Sequence, residues 1–219
     1  MSSASSLLSG ANHDGALSGL RGGAPLYGER GVSELRAAPG TVLAASPDLP
    51  DSNFSHSTIL VCEHTEEGAF GLVFNRPAGI AVRQLFPEHP LLFACEHPVY
   101  LGGPVGMDNA QFLHRVPEEI HGGEELAQGV HLGGDFEELA SLLHEDQERA
   151  AAAVRMFVGY SGWSDGQLDE ELANGSWLPA VLDPEVMFGE QEESTWRAVI
   201  RSINGMDGLS HQPPDSSWN

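Results

Sequence analysis

The stretch from Gly159 to Trp177, GYSGWSDGQLDEELANGSW, decides the fold expected of this chain. A largely apolar run, Val154–Val158, precedes it and is typical of a buried, central strand. The glycine-aromatic segment Gly159–Trp163 follows and predicts a tight turn. An acidic helix comes next, and its run Asp169–Glu171 is expected on the solvated side. The stretch therefore predicts a strand, a tight turn, a helix and a stop.

The signals that begin and end this helix are nearly complete. Ser164 with Gln167 three residues later has the spacing of a capping box, and Trp163 with Leu168 has that of a hydrophobic staple. Gly175 lies where a left-handed residue would end the helix. A structural role therefore explains these residues without any catalytic one.

The charge balance excludes several kinds of chemistry. Among 219 residues, 32 are acidic and 10 are basic, for a formal net charge of -22, and every basic residue is Arg. Without Lys there is no P-loop lysine, no Schiff base and no catalytic ammonium group. So few cations also argue against direct nucleic-acid binding, which depends on neutralised phosphates. We attribute the acidity to a solvated surface. Because the like charges repel one another in the folded state, a balance that salt-loving organisms exploit, we hypothesise a high-salt cytoplasm.

Cysteine usage and hydropathy favour a cytoplasmic protein. Cys62 and Cys95 lie in the apolar stretches ILVC and LLFAC, which suits reduced, buried thiols better than a disulfide framework. No stretch approaches the length of a membrane-spanning helix, so no membrane association is expected. The N-terminus lacks a basic region and an apolar core, so no secretory signal is expected.

Composition divides the chain into three parts. Residues 1–37 are rich in Ser, Gly and Ala without sustained periodicity, and they predict a flexible N-terminal extension with a short helix near Ser33–Ala37. Residues 38–205 form the predicted single domain, and residues 206–219 a C-terminal tail. Within the domain, strands bunch early and helices come later without regular βαβ alternation, which favours an α+β class.

Local patterns place the elements of this domain. Short apolar runs bounded by turn residues predict strands at Thr41–Ser46, Ser57–Glu63, Ala69–Phe74, Val99–Leu101, Gln111–Val116, Gly129–Leu132 and Val154–Gly159. Periodicity and capping signals predict helices at Ile80–Phe86, at Asp135–His144 and across Trp196, Val199, Ile200 and Ile203. Gly205 is expected to end the last helix, and the charged stretch Glu145–Ala150 is expected to face solvent.

Four sequence blocks resemble one protein family. In chain order they are Ala45–Phe54 with ILVCEHTEEGAFGLVFNRP at residues 59–77, VYLGGPV at residues 99–105 with Phe112–His114, Gly133–Asp135, and GYSGWSDGQLDEEL with Trp177 and the Trp196 helix. Together they span roughly residues 40–205 in the order of the YqgE/AlgH family, which this chain resembles. The N-terminal extension is longer than the family's usual start, and residues 78–98 match weakly.

The resemblance implies a cytosolic α+β protein whose branched, mixed or antiparallel sheet curls into a pseudo-barrel flanked by helices. The family has no settled biochemical activity, and its members are often labelled as transcriptional regulators. No cluster of Arg forms a basic face in this chain, so its residues give that label no independent physical support.

Gly159–Trp163 invites comparison with the nucleophile elbow G-x-S-x-G, which would make Ser161 a nucleophile. The fifth residue is Trp rather than Gly, and the only downstream histidine, His211, lies in the predicted tail. Members of the family that the chain resembles often carry Ala at the position of Ser161. A crowded strand-to-helix junction that needs small residues explains the segment better than hydrolase chemistry does.

Metal and phosphate sites are also weakly supported. Cys62 and His64 would project from one face of a strand, with His56 nearby, but a zinc site needs three or four ligands at recognisable spacing. A redox role for Cys62 would need a lowered pKa. The pairs Gly102-Gly103 and Gly122-Gly123 do not lead from a strand into a helix with a phosphate-binding spacing and favour turns. We therefore expect no metal and no cofactor.

The candidate binding residues are His64, Asn75, Arg76 and His114, at predicted strand ends. Arg76 is the best of them, because Arg is scarce here and pairs well with a carboxylate or phosphate; the alternative is an Asn turn with an exposed Arg. The first hypothesis is a non-enzymatic protein that binds a protein or small-molecule partner. The second is an enzyme whose site gathers these four side chains, and convergence in one pocket would distinguish it. Direct DNA binding is the third.

Overall fold

The computed structural model describes residues 37–49, 53–189 and 193–206. The predicted extension, the helix predicted near Ser33–Ala37 and the tail after Met206 lie outside the described residues, apart from Ala37 itself. The described part of the chain contains ten strands and six helices. In chain order they are β1 Thr41–Ala45, β2 Thr58–Thr65, β3 Gly68–Val73, β4 Pro77–Ala81, α1 Val82–Leu85, β5 Pro98–Leu101, β6 Val105–His114, β7 Glu124–Ala127, β8 Val130–Leu132, α2 Phe136–Glu145, α3 Gln147–Ala153, β9 Val154–Ser164, α4 Gln167–Ala173, β10 Trp177–Val181, α5 Pro184–Phe188 and α6 Glu193–Met206.

The sheet branches at β9, which has three neighbouring strands. One edge of β9 pairs antiparallel with β6. The other edge pairs first with β5, in parallel over Met156–Val158, and then with β3, antiparallel over Ser161–Ser164. The change of partner falls at Gly159, whose φ is +67°. A Cβ there would lie 2.4 Å from the carbonyl oxygen of Gly103, so only glycine fits this crossing.

The sheet curls along the path β10-β1-β2-β3-β9-β6-β8-β7. The curl brings the last strand of this path, β7, against Gly40, which lies just before β1. A Cβ at Gly40 would lie 2.4 Å from that of Ala127, and Gly40 has a φ of +86°. The α+β class is the one that the sequence pattern predicts, and a branched, curled sheet with flanking helices is the architecture that the family resemblance implies.

Alternate residues of β1 and β2 face two different cores. Inside the curl, Val42 and Leu60 pack with residues of β3 and β9 and with Trp196 of α6. On the outer side, Leu43 and Ile59 pack with the two tryptophans of the 159–177 stretch. These four aliphatic side chains are at most 2% exposed, and each fully buried side chain of this kind contributes about 1.5–3 kcal/mol. A shift by one residue in either strand would exchange the two faces, so packing fixes the register.

A third core covers the other half of β9. Val154 and Met156 pack there against Leu139 and Leu143 of α2 and against residues of α1 and α3. Asp135 begins α2 as predicted, since its side chain accepts hydrogen bonds from the backbone N–H groups of the first turn. The three cores together bury β9 almost throughout, which explains its apolar sequence.

Arg155, on β9, is a buried cation held by helix ends. It is 4% exposed, and it has no carboxylate partner within the described part of the chain. Its guanidinium donates to four carbonyl oxygens at the C-terminal ends of α3 and α5: those of Ala151 at 2.9 Å, Val154 at 3.0 Å, Gly189 at 2.7 Å and Phe188. Because such carbonyls carry partial negative charge, the two helix ends balance the cation, and Arg155 joins them.

The structure corrects the prediction for Gly159–Trp163. This segment is not a turn, because β9 continues to Ser164 and pairs there with β3. The turn follows it, and the N-cap of α4 is Gly166 at φ +67° without a side-chain cap. Half of the predicted capping box exists, since Gln167 Oε1 accepts from the Ser164 backbone N–H at 3.1 Å. The predicted stop is confirmed: Gly175 is left-handed at φ +72°.

Other local predictions need smaller corrections. Ile80–Phe86 is not one helix, because β4 runs to Ala81 and only Val82–Leu85 is helical. In the stretch Glu145–Ala150, residues 145–149 are exposed as predicted, and only Ala150, within α3, is buried. Gly205 does not end the last helix, which continues to Met206. The strands β4, β7 and β10 were not predicted. All three are short, and β4 and β10 pair with strands distant in sequence, whereas β7 forms a hairpin with β8.

Candidate functional site

The carboxylate of Glu171 gathers the side chains of the 159–177 stretch. Its Oε2 accepts from the indole N–H of Trp163 at 2.9 Å and from that of Trp177 at 2.7 Å. Its Oε1 accepts from the Gln167 amide at 2.8 Å. Glu171 therefore does not simply lie on the solvated side of α4, as predicted, but ties α4 to both β9 and β10. In the run Asp169–Glu171, Asp169 and Glu170 are exposed and Glu171 is half-buried, a difference that composition alone does not show.

The loop Asn53–Ser57, called the clamped loop below, lies beside these tryptophans. The ring of Phe54 meets Trp177 edge-on at a centroid distance of 5.7 Å. The ring of His56 meets Trp196 at 4.5 Å, and the Trp196 indole donates in turn to the Ala45 carbonyl at 2.8 Å. The loop therefore lies against two indoles that the cores hold in place.

Asn75 and Arg76, at the end of β3, clamp this loop from the other side. Asn75 Oδ1 accepts from the Thr58 backbone N–H at 2.8 Å, and Asn75 Nδ2 donates to the His56 carbonyl at 2.9 Å. Arg76 Nη2 donates to Ser57 Oγ at 3.1 Å, and its Nη1 donates to the carbonyl of Asn53. Two of the four sequence candidates thus act together, on one loop.

The clamped loop holds a strained backbone position. His56 has a φ of +56°, which is uncommon for a residue with a side chain. Its side chain is exposed, and its ring nitrogens make no hydrogen bond within the described residues. Strain of this kind costs roughly 1–3 kcal/mol and persists only where the surroundings enforce it. The Asn75 and Arg76 hydrogen bonds supply that enforcement.

Arg76 is also electrostatically unusual in this acidic chain. Three other arginines of the described region pair with glutamates: Arg83 with Glu96, Arg115 with Glu185, and Arg149 with Glu118 and Glu119. Arg76 has no such ion pair with any described residue, and its hydrogen bonds are to neutral oxygens of the loop. Its positive charge is therefore available at the loop.

His64 lies at the opposite end of β2 from the clamped loop. Its Nδ1 is 2.6 Å from the Ala37 carbonyl oxygen, and its Nε2 is 3.7 Å from Asp169 of α4. The six steps of strand from Thr58 to His64 span about 20 Å. His64 therefore holds the start of the described chain and α4 together, away from Asn75 and Arg76.

His114 lies in a third location. It is fully buried, its Nδ1 accepts from the Val116 backbone N–H at 3.3 Å, and its ring stacks on that of His131 at 5.3 Å. Burial and the neighbouring His131 lower the pKa of His114. It pairs with Val154 at one end of β9, whereas His64 lies near the other end, about 30 Å of strand away. The four candidate side chains thus occupy three separate places.

The other residues considered for chemistry have structural partners. Ser161 is buried, and its hydroxyl donates to the Gly102 carbonyl at 3.1 Å. Burial raises the pKa of the Cys62 thiol and of the Cys95 thiol, so neither favours the thiolate. Among the described residues, no group of three or more His, Cys, Asp or Glu side chains is placed to hold a metal ion.

Comparisons with known proteins identify the family. The family model described as AlgH-like matches residues 42–207. The chain belongs to the AlgH-like family. An UPF0301 protein from Cytophaga hutchinsonii is 38% identical over 187 residues, covering 82% of this chain and 98% of that protein. An UPF0301 protein from Chlorobium luteolum is 36% identical over 180 residues, covering 82% of this chain and 93% of that protein. The family resemblance seen in the four sequence blocks is confirmed.

Two solved structures share the fold of this AlgH-like chain. The solution structure of the AlgH protein from Pseudomonas aeruginosa superposes with a TM-score of 0.61 at 23% identity, covering 87% of this chain and all (100%) of that one. A crystal structure of a protein from Corynebacterium diphtheriae gives 0.60 at 26% identity, covering 81% and 88%. They confirm the curled α+β architecture. Within the described residues, no helix combines the length and apolar character needed to span a membrane.

Sequence reasoning missed three members of the site: Phe54, His56 and Glu171. The turn-rich segment before β2 gave no sign that His56 adopts a left-handed conformation, because Asn75, which enforces it, is 19 residues away. A usable signal was present for Glu171. It lies eight residues after Trp163 and six before Trp177, and buried indoles need an acceptor.

Proposed function

We propose that this AlgH-like protein is a non-enzymatic, cytoplasmic protein that binds a protein or small-molecule partner through the clamped loop. The observation that carries the proposal is the left-handed His56, held in a strained conformation by Asn75 and presented to solvent beside Arg76. Strained, over-determined loop positions cluster at functional sites. A loop ordered in advance also loses less entropy on binding, which favours affinity.

The composition of the surface supports recognition rather than catalysis. The loop offers an imidazole, hydroxyls and a guanidinium around Phe54, whereas its partners Trp177 and Trp196 are buried beneath it. Catalysis would require a base, a nucleophile or a metal within reach of one reacting atom. His64 and His114 lie elsewhere, so the alternative of an enzyme built on all four residues has less support than the binding role.

The transcriptional role in the family label fits this chain only as an indirect one, exercised through a protein or small-molecule partner rather than by binding DNA. Three of the described arginines are paired with glutamates, and the net charge of -22 opposes a phosphate backbone. The cytoplasmic location rests on Cys62 and Cys95, which are unpaired and buried, as suits a reducing compartment. We further propose a high-salt cytoplasm as the setting, on the charge balance alone.

Affinity capture with matched variants tests the proposal. His56→Gly removes the imidazole and the left-handed constraint. Gln128→Gly removes the side chain and the same constraint on the β7–β8 turn, at the other non-glycine residue with positive φ among those that the structure describes. Proteins and small molecules that co-purify are identified by mass spectrometry and tested again in pure form. We expect a partner that binds the wild type and Gln128→Gly alike and His56→Gly about tenfold more weakly, a loss of ~1.4 kcal/mol. Identical capture by all three proteins would overturn the proposal.

A further inference from the structure

We infer that the clamped loop is an oxyanion-binding site, which takes a carboxylate or phosphate group of its partner against Arg76 and the loop backbone. The inference rests on the proposed function and adds the chemistry of the recognised group. It depends on three features of the described residues: backbone donors of the loop that are unused, guanidinium donors of Arg76 that are unused, and the lack of an ion pair at Arg76.

The backbone of the loop carries consecutive unused donors. The N–H groups of Phe54, Ser55 and His56 donate no hydrogen bond to any described residue, whereas the next one, of Ser57, donates to the Phe54 carbonyl at 3.0 Å. Successive N–H groups next to a left-handed residue form concave anion-binding sites in proteins. The positive φ of His56 places this loop in that conformational class.

Arg76 supplies the charge. A guanidinium has five N–H donors. The loop carbonyls of Asn53 and Ser55 and the hydroxyl of Ser57 use one donor of Nη1 and those of Nη2. The Nε–H and the second Nη1 donor remain. Because the three contacts fix the position of the guanidinium, little side-chain entropy is left to lose when an anion binds.

The arrangement also favours selectivity in an acidic protein. Long-range repulsion from a net charge of -22 disfavours any anion that approaches elsewhere. Binding at the loop depends on short, charge-assisted hydrogen bonds, which are stronger than neutral ones. The site therefore selects a single, well-placed oxyanion over an extended polyanion.

The test is a titration of the full chain followed by two-dimensional NMR of backbone amides and arginine Nε–H groups. One arm uses inorganic phosphate and the other acetate, which separates phosphate from carboxylate recognition. We expect at least one of them to shift the amides of Phe54, Ser55 and His56. Arg76→Gln should weaken that binding about tenfold. Arg83→Gln, which removes an exposed arginine paired with Glu96, is the matched control and should bind as the wild type does.

Three outcomes would overturn the inference: no loop shifts with either anion, equal binding by Arg76→Gln and the control, or shifts centred elsewhere. Loss of the fold in Arg76→Gln is recognised from its amide spectrum, and Arg76→Lys then replaces it, with retained but weaker binding expected because the charge remains and the fork is lost. If the anion titration fails but a captured partner still binds His56→Gly more weakly than the wild type, only the oxyanion chemistry is refuted. Failure of both would refute the binding role of the loop.

Discussion

The side-chain amide of Asn75 donates a 2.9 Å hydrogen bond to the carbonyl of His56 and thereby holds that residue at a φ of +56°. The same side chain accepts from the N–H of Thr58, the first residue of β2. One asparagine at the end of β3 thus fixes both the strained residue and the strand that follows it. This coupling makes the loop part of the sheet rather than a free connection, and it can be tested energetically.

Replacing His56 by glycine should stabilise the protein while weakening partner binding. The left-handed conformation costs a non-glycine residue roughly 1–2 kcal/mol, and the greater freedom of glycine in the unfolded chain offsets about 0.5–1 kcal/mol of that gain. A net gain of about 0.5–1 kcal/mol in the free energy of unfolding is expected by urea titration. Gln128→Gly should gain as much, and a loss of stability in His56→Gly alone would argue against strain at the loop.

Removing the Glu171 carboxylate should be costly. Glu171→Ala leaves the indole N–H groups of Trp163 and Trp177 without their acceptor, and an unsatisfied buried donor costs about 1–3 kcal/mol. We expect a destabilisation of about 2–4 kcal/mol by urea titration. Glu170→Ala, at the exposed neighbouring position, should change stability by less than about 0.5 kcal/mol. Equal effects of the two variants would show that Glu171 is only a surface residue.

Arg155→Met should destabilise the protein by about 3 kcal/mol or more, because four carbonyl oxygens lose their donor. Arg149→Met, which breaks an exposed ion pair with Glu118 and Glu119, should cost less than about 1 kcal/mol. Unfolding by guanidinium chloride distinguishes them. An unchanged free energy of unfolding in Arg155→Met would contradict this account. It would mean that methionine packing replaces the guanidinium and that the ends of α3 and α5 do not need its hydrogen bonds.

Stability should fall as the pH drops below 6.5, with His97 as a main cause. Burial, then the charge of Arg155, lower the pKa of His97 from 6.5 to about 4. Below pH 6.5, His97 therefore binds a proton in the unfolded chain but stays neutral in the folded protein. The free energy of unfolding decreases until the pH reaches about 4. The shift corresponds to about 3 kcal/mol.

The lowered pKa of His114 adds to this loss in the same direction. His97→Phe should flatten the pH dependence of stability, measured by urea titrations from pH 7 downwards. The variant lacks the group whose pKa differs between the folded and unfolded states. His144→Gln, at an exposed position on α2, should leave the dependence unchanged. A pH profile of His97→Phe parallel to that of the wild type would contradict the assignment to His97.

Molar KCl should stabilise the protein relative to low salt. Its charge of -22 repels itself in the folded state, and at about 1 M salt the screening length falls to ~3 Å. Thermal unfolding followed by circular dichroism in a KCl series measures the effect. Stability that is constant or falls with KCl would count against the proposed high-salt setting.

Local patterns were sufficient for much of the fold. The apolar run of β9, the Asp135 cap and the glycine stop at Gly175 are determined by residues within one or two turns of chain. The segment Gly159–Trp163 misled because its glycines suggest a turn locally. Gly159 is required by a crossing with Gly103, more than fifty residues away, which no local pattern contains.

In the candidate site too, some roles follow from the local sequence and others depend on distant partners. Scarcity of arginine was enough to single out Arg76, and its strand-end position brought Asn75 with it. The roles of His56 and Glu171 depend on partners from other strands, so neither could be predicted from neighbouring residues. His64 and His114 met the same sequence criterion as Arg76, yet the curl of the sheet separates them from it.

The most direct measurement is amide chemical-shift mapping of the complex with the purified partner identified by capture. The account predicts that the largest shifts fall on residues Asn53–Ser57 and on Arg76. His56→Gly should need about tenfold more partner to reach the same shifts, whereas Gln128→Gly should match the wild type. Largest shifts on the β7–β8 turn or around His114, with the clamped loop unchanged, would contradict it.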